Sequence, residues 1–209
     1  MSQAADTKLW ELLIQGAVAV GTVAVAILAI WGEWVREKLA GAKLQVSLHD
    51  PEGEPIDVSD GTPSRYYHLK VRNGRRWAPA KNVRVLLTKI NKSAADGSFQ
   101  GVALSGPLQL TWQYPNFHPL FPTIGPDDIC DLGYLQKERF FKLSPYFFPN
   151  NFQGFLETPG KMRVEVIAVA DNAESNPLLI EIAWDGQWSD DTIQMSKHLV
   201  IKEVSSIDV

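Results

Sequence analysis

Cysteine is nearly missing from this 209-residue chain: Cys130 stands alone. An intrachain disulfide is therefore excluded, and the fold must rest on a buried core. With no histidine at ligand spacing nearby, Cys130 reads as a small buried hydrophobe. Histidine is also sparse. His49, His68, His118 and His198 are scattered, none at an i,i+4 metal spacing. There is no glycine-rich phosphate loop, nucleophile elbow or Cys-Cys pair, so no cofactor is expected. Charge is missing in one block: the 21 residues 12–32, between Glu11 and Glu33, carry none. Acidic side chains are missing in another, from Gly61 to Ala95.

The first gap predicts a membrane span. As a helix, 21 residues rise roughly 31 Å, the thickness of a bilayer core. The run is apolar on all sides except at Gln15 and Thr22, whereas a soluble amphipathic helix shows a polar face. Trp10 at one end and Trp31 and Trp34 at the other are placed for both interfaces. A cleaved signal peptide would want a more basic start, a shorter run and a small-residue exit. Residues 12–34 are thus expected to be a retained transmembrane helix, after an N-terminal tail over 1–11. Arg36, Lys38 and Lys43 outnumber the upstream Lys8, so the positive-inside rule favours a cytoplasmic C-terminal domain. Ala17-x-x-x-Gly21 has the spacing that lets two helices pack closely, a route to a homo-oligomer.

Residues 35–43 read as a charged linker that prolongs the helix to Gly41. Beyond it the period changes. Lys43 to His49 alternates polar and apolar, the pattern of a strand with one buried face. Tyr67, Leu69 and Val71 repeat the pattern. So do Val83, Val85 and Leu87, then Met162 to Ala168, then Ile180, Ile182 and Trp184, and residues 198–204 close the domain. Asp50-Pro51-Glu52-Gly53, Asn73-Gly74, Asp96-Gly97 and Asp185-Gly186 punctuate these runs as turns. Many short strands without intervening helices predict a mainly β domain, a β-sandwich, over 44–204, with a tail at 205–209.

Several segments carry a resemblance. Val71-Arg72-Asn73-Gly74 followed by Ala80 to Val85 resembles the B-to-C passage of bacterial immunoglobulin-like adhesion and CARDB-type modules. Ile124-Gly125-Pro126 with Ile129 to Leu132 is similar to their turn and strand E. Val164 to Asp171, Asn172 to Asn176 and a final strand resemble their F–G hairpin. The resemblance covers about half the chain and implies an immunoglobulin-like sandwich that binds or spaces other molecules. The chain departs from it in its long middle, residues 93–160, expected to be an irregular insertion. Eight of the thirteen prolines and twelve of the twenty-one aromatics fall between Pro107 and Pro159. Proline at that density opposes regular pairing. The insertion reads either as a loop-rich flap over one sandwich edge or as an aromatic interface, with Tyr146, Phe147, Phe148 and Phe152 its candidate residues.

The second charge gap gives the other candidate site. Gly61 to Ala95 holds nine basic side chains and no acidic one. Were its two strands paired, Lys70, Arg72 and Arg84 would share an outward face, and Arg75, Arg76 and Lys81 would crown the loop. Arg72, Arg75, Arg76, Lys81 and Arg84 are thus candidate anion-binding residues, for anionic lipid or a small anion. Alternatively, acidic strands bearing Glu165 and Glu181 neutralise them. Trp77 alone offers little base stacking, so nucleic acid is not the expected partner. Asp127-Asp128-x-x-Asp131 and Asp190-Asp191 read as solvated turn carboxylates, and Trp184 with Trp188 as core caps more than a sugar-stacking pair.

Taken together, these features lead to the expectation of a single-pass membrane protein whose β domain is a non-catalytic binding or assembly module. Its partners would be the bilayer, anionic lipid or another membrane protein. Two alternatives stand beside it: a membrane-tethered hydrolase or transferase using dispersed residues such as His118, Asp131 and Asp185, and a small-anion sensor acting through a partner.

Overall fold

The computed structural model describes residues 3–57, 61–113, 120–171 and 173–205. The chain forms two compact units, Met1–Gly41 and Ala42–Val209. In the first, α1 runs Gln3–Ala40 as one helix of 38 residues. It therefore begins within the segment expected to be a tail and continues through most of the expected linker. Its stretch Leu13–Gly32 is long and apolar enough to cross a membrane, and none of it is buried within the chain. Trp10 and Trp31 are exposed at its ends; the Trp34 side chain lies outside the described residues. Thr22 Oγ1 donates to Val18 O at 2.8 Å, so this hydroxyl is satisfied by the helix itself.

The second unit is mainly β, with two antiparallel sheets. In chain order the strands are β1 Leu44–Leu48, β2 Glu54–Asp57, β3 Pro63–Asn73, β4 Arg84–Ser93, β5 Phe99–Val102, β6 Leu108–Gln109, β7 Asp127–Gln136, β8 Phe141–Leu143, β9 Phe155–Leu156, β10 Gly160–Ala170, β11 Ala173–Glu174, β12 Leu178–Trp184 and β13 Leu199–Val204, with a short helix α2 at Thr192–His198. One sheet has the order β1-β3-β7-β8-β9, with β2 also on β3; the other is β13-β12-β10-β4-β5, with β11 on β10 and β6 on β4. The alternating runs supply the inner faces. Tyr67, Leu69 and Val71 of β3, Val85 and Leu87 of β4, Met162 to Ala168 at every second residue of β10, and Ile180 and Ile182 of β12 are buried in one cluster with Cys130 and Leu132 of β7.

Asp50–Gly53 is a turn, as expected; beyond it β2 follows β1 along the same side of β3. Asp50 Oδ1 accepts the N–H groups of Glu52 and Gly53 at 3.2 Å. Gly53 has φ +76°, and a Cβ there would lie 2.6 Å from the Tyr67 ring. Three expectations need correction. The middle, 93–160, is not an irregular insertion, because it holds β7, which is hydrogen-bonded between β3 and β8. Its alternation is masked by Asp127, Asp128, Asp131 and Gly133 and by a bulge. An α-helix also lies between the last two strands. Its N-cap is Asp191, exposed as expected, which also accepts from Gln194 N at 2.8 Å. Finally, β3 and β4 belong to different sheets, so the shared basic face built on their pairing does not form.

Arg65 ties the end of the fold together. It points inward from β3 with 1% of its surface exposed. Its guanidinium donates to Gly53 O at 3.2 Å, Thr192 Oγ1 at 3.1 Å and Asp190 O at 2.9 Å. One buried cation thus links the β1–β2 turn, β3 and the start of α2.

Candidate functional site

The aromatic candidates divide by burial. Tyr146, Phe147 and Phe148 are exposed, Phe147 by 71%, whereas Phe152 is only 9% exposed and belongs to the core. Phe152 packs edge-on beneath Phe148, with ring centroids 5.4 Å apart. A Cβ on Gly154 would collide with the Phe152 ring, so that glycine keeps the seat open. Phe152 is thus the foundation of the loop and not part of its surface.

The structure adds partners that lie far away in sequence. Gln109, in the two-residue β6, accepts the Tyr146 N–H at 2.7 Å and donates from Nε2 to Leu120 O at 3.0 Å. It draws the exposed Leu120 and Phe121 to the same place as the exposed Tyr146–Phe148 loop. A Leu110–Pro145 bridge and a Val83 N–H bond to Pro122 O hold the two loops from behind. Each carries a cation on a ring: Arg84 sits 5.9 Å from the Phe121 centroid, and Lys142 Nζ 3.9 Å from that of Phe148. The site is a rim of five exposed apolar side chains bordered by two positive charges.

The basic segment is scattered by the fold. Arg72 is exposed at the end of β3, directly opposite Asp127 of β7. Lys70 pairs with Asp127 at 2.9 Å. Its hydrogen bond, with the fields of Arg72 and Arg76, holds the Asp127 carboxyl below its usual range. Arg75 and Arg76 lie in the loop after Asn73, whose Oδ1 accepts the Arg75 N–H at 3.0 Å. Lys81 is exposed next to Val83, and its carbonyl accepts the Asp171 N–H. Arg84 lies with the aromatic rim. Of the acidic residues expected to neutralise the segment, Glu165 meets Lys89 at 2.9 Å. Glu181 instead pairs with Arg163 at 2.8 Å and Lys202 at 3.3 Å. These two cations and Lys161 line an open groove of about 540 Å³ beside the 93–97 turn, with Phe99 stacked under Arg163. Nothing in the order of residues marks that groove, because its cations come from β10 and β13.

The dispersed hydrolase residues are not brought together. Asp131 meets His68, and Asp185 meets His198 at 2.8 Å from the other sheet. His118 lies outside the described residues. The His68 cluster was invisible in sequence. Between Tyr67 and His68 the β3–β7 register shifts by one residue, leaving Leu132 as the extra residue and setting Asp131 opposite His68. His68 Nδ1 lies 3.0 Å from Asp131 Oδ1, and Nε2 3.4 Å from Glu54 Oε2, an ion-pair contact without hydrogen-bond geometry. Tyr66 stacks near His68 and on Tyr134. Burial pushes the imidazole pKa down, but the Asp131 bond and the charges of Asp131 and Glu54 outweigh it and hold it above its ordinary value. Cys130 is buried, and burial pushes its thiol pKa well up, an environment that suppresses thiolate chemistry. Trp184 is buried, donating to Gln187 O, so it does not present a ring for stacking. Among the described residues, no group of three or more His, Cys, Asp or Glu side chains is placed to hold a metal.

No family model matches the chain, and no curated protein matches it.

Proposed function

We propose that the chain is a single-pass membrane protein whose β-rich unit, in our reading an immunoglobulin-like sandwich, is a binding or assembly module with no catalytic role. The observation that carries this reading is α1. Its stretch Leu13–Gly32 is apolar, and the large apolar side chains described along it are exposed. Such a surface in water would be a severe liability, and a bilayer removes it. The β unit has its own core, so the helix is free to act as an anchor. The rim of exposed aromatics supports the binding half of the proposal, since such side chains dominate interface cores. The excess of basic residues just after the apolar stretch supports a cytoplasmic side for this unit.

Alkaline carbonate washing of membranes from cells making the intact chain tests the anchor. The full-length protein is expected to stay in the pellet. Release into the supernatant, or a mature N-terminus near Gly32, would refute it.

A further inference from the structure

We propose that the aromatic rim is a bilayer-docking surface: Leu120, Phe121, Tyr146, Phe147 and Phe148 enter the interfacial layer of an anionic membrane while Arg84 and Lys142 meet its headgroups. The inference rests on the anchoring proposed above and names the partner of the binding module.

Four observations lead to it. The rim is exposed, with Tyr146 at 59% and Phe147 at 71%. It is also tied to the sheets by Gln109, the Leu110–Pro145 bridge and the buried Phe152, contacts that limit the order lost on docking. The two charges that stack on its rings are both positive, and Asp171 and Glu174, the acidic residues across β10 from Arg84, lie on the side of β4 opposite to β6. Arg84 lies in a segment without carboxylates, from Gly61 to Ala95; Leu120 and Phe121 lie in 97–126, which carries no charge at all; Lys142 and the Tyr146 loop lie in 139–156, which holds no acidic residue. A protein partner of ordinary surface presents both signs, whereas an anionic bilayer presents one, complementary to the two cations on these rings. Finally, rings with cations stacked on them suit the headgroup layer, where aromatic side chains and Lys or Arg both concentrate.

The intact chain can be reconstituted into nanodiscs of phosphatidylcholine alone or mixed with phosphatidylglycerol, with Phe147→Cys carrying an environment-sensitive dye. Cys130 is buried and does not compete for the label. Nitroxide lipids are expected to quench the dye in the anionic discs near 0.1 M salt. Quenching should fade toward 1 M, as the Debye length falls from about 10 Å to about 3 Å. Arg84→Gln with Lys142→Gln should lower the docked-to-free ratio about thirtyfold, from about 1 kcal/mol for each cation at an anionic surface. The salt titration needs no charge variant, so it stands even if that double variant misfolds. A dye unquenched in anionic discs overturns the inference. So does quenching that is equal in neutral discs and indifferent to salt. A dye signal that changes only as copies per disc increase overturns it in favour of a second copy of this chain as partner. A chain that never enters the discs refutes the anchor, and the docking with it; entry with an unquenched dye refutes the docking alone.

Discussion

Replacing Asp131 by asparagine isolates the one cluster that the fold assembles and the linear order conceals. In the native protein His68 is 4% exposed and lies between Asp131 and Glu54. Its folded pKa is raised above the usual 6.5 although burial works against it. A raised histidine pKa means that the folded state holds the proton more tightly than the unfolded state. The cluster therefore contributes fully below about pH 6.5 and loses that contribution as pH rises through the folded pKa. Asp131→Asn removes the negative end of the pair. A hydrogen bond to a charged group contributes about 1.5–3 kcal/mol and a neutral one about 1 kcal/mol. The variant should thus lose about 2 kcal/mol near pH 5.5 and clearly less near pH 9. For a domain of this size that is a Tm drop of about 4–8 °C at the acid end. With Asp131 gone, only the half-exposed Glu54 works against burial of the imidazole, so the variant should lose less stability than wild type from pH 5.5 to 9. The assay is urea or thermal denaturation of residues 42–209 at both pH values, wild type against variant, because groups common to both cancel. An equal loss at the two pH values would show that Asp131 acts only by packing. An unchanged pH slope would refute the reading of the cluster.

Glu181→Gln should destabilise the second sheet by about 2–3 kcal/mol, because the pair with Arg163, only 14% exposed at its side chain, loses its negative charge. Removing the more exposed partner through Lys202→Ala should cost at most about 1 kcal/mol, and similar losses from both in chemical denaturation would contradict this ranking. Phe152→Ala should cost about 3–5 kcal/mol through the cavity it leaves, while Phe147→Ala should stay within about 0.5 kcal/mol. Comparable Tm losses for the two would mean that the aromatic loop has no inner and outer side.

Some features of this protein are local, and the order of residues determined them. An uncharged run of bilayer length is a helix long enough to span, because its side chains face outward whatever follows. Strict alternation at 67–71, 83–87 and 162–168 put those residues in the core, because a pleated strand turns every second side chain the same way. The tertiary structure decided what depends on pairing. Arg84 and Lys70 look like neighbours in one basic segment, but their strands joined different sheets, so one cation went to Phe121 and the other to Asp127. A single extra residue, Leu132, set Asp131 opposite His68, a contact across 63 positions that periodicity could not register. Gln109 joined two aromatic loops through one backbone and one side-chain bond, and Phe152 went beneath the surface that its neighbours form. Burial pattern is written in each strand by itself. Which strands become neighbours depends on the free energy of the whole packed sheet, and the candidate sites lie where distant strands and loops meet.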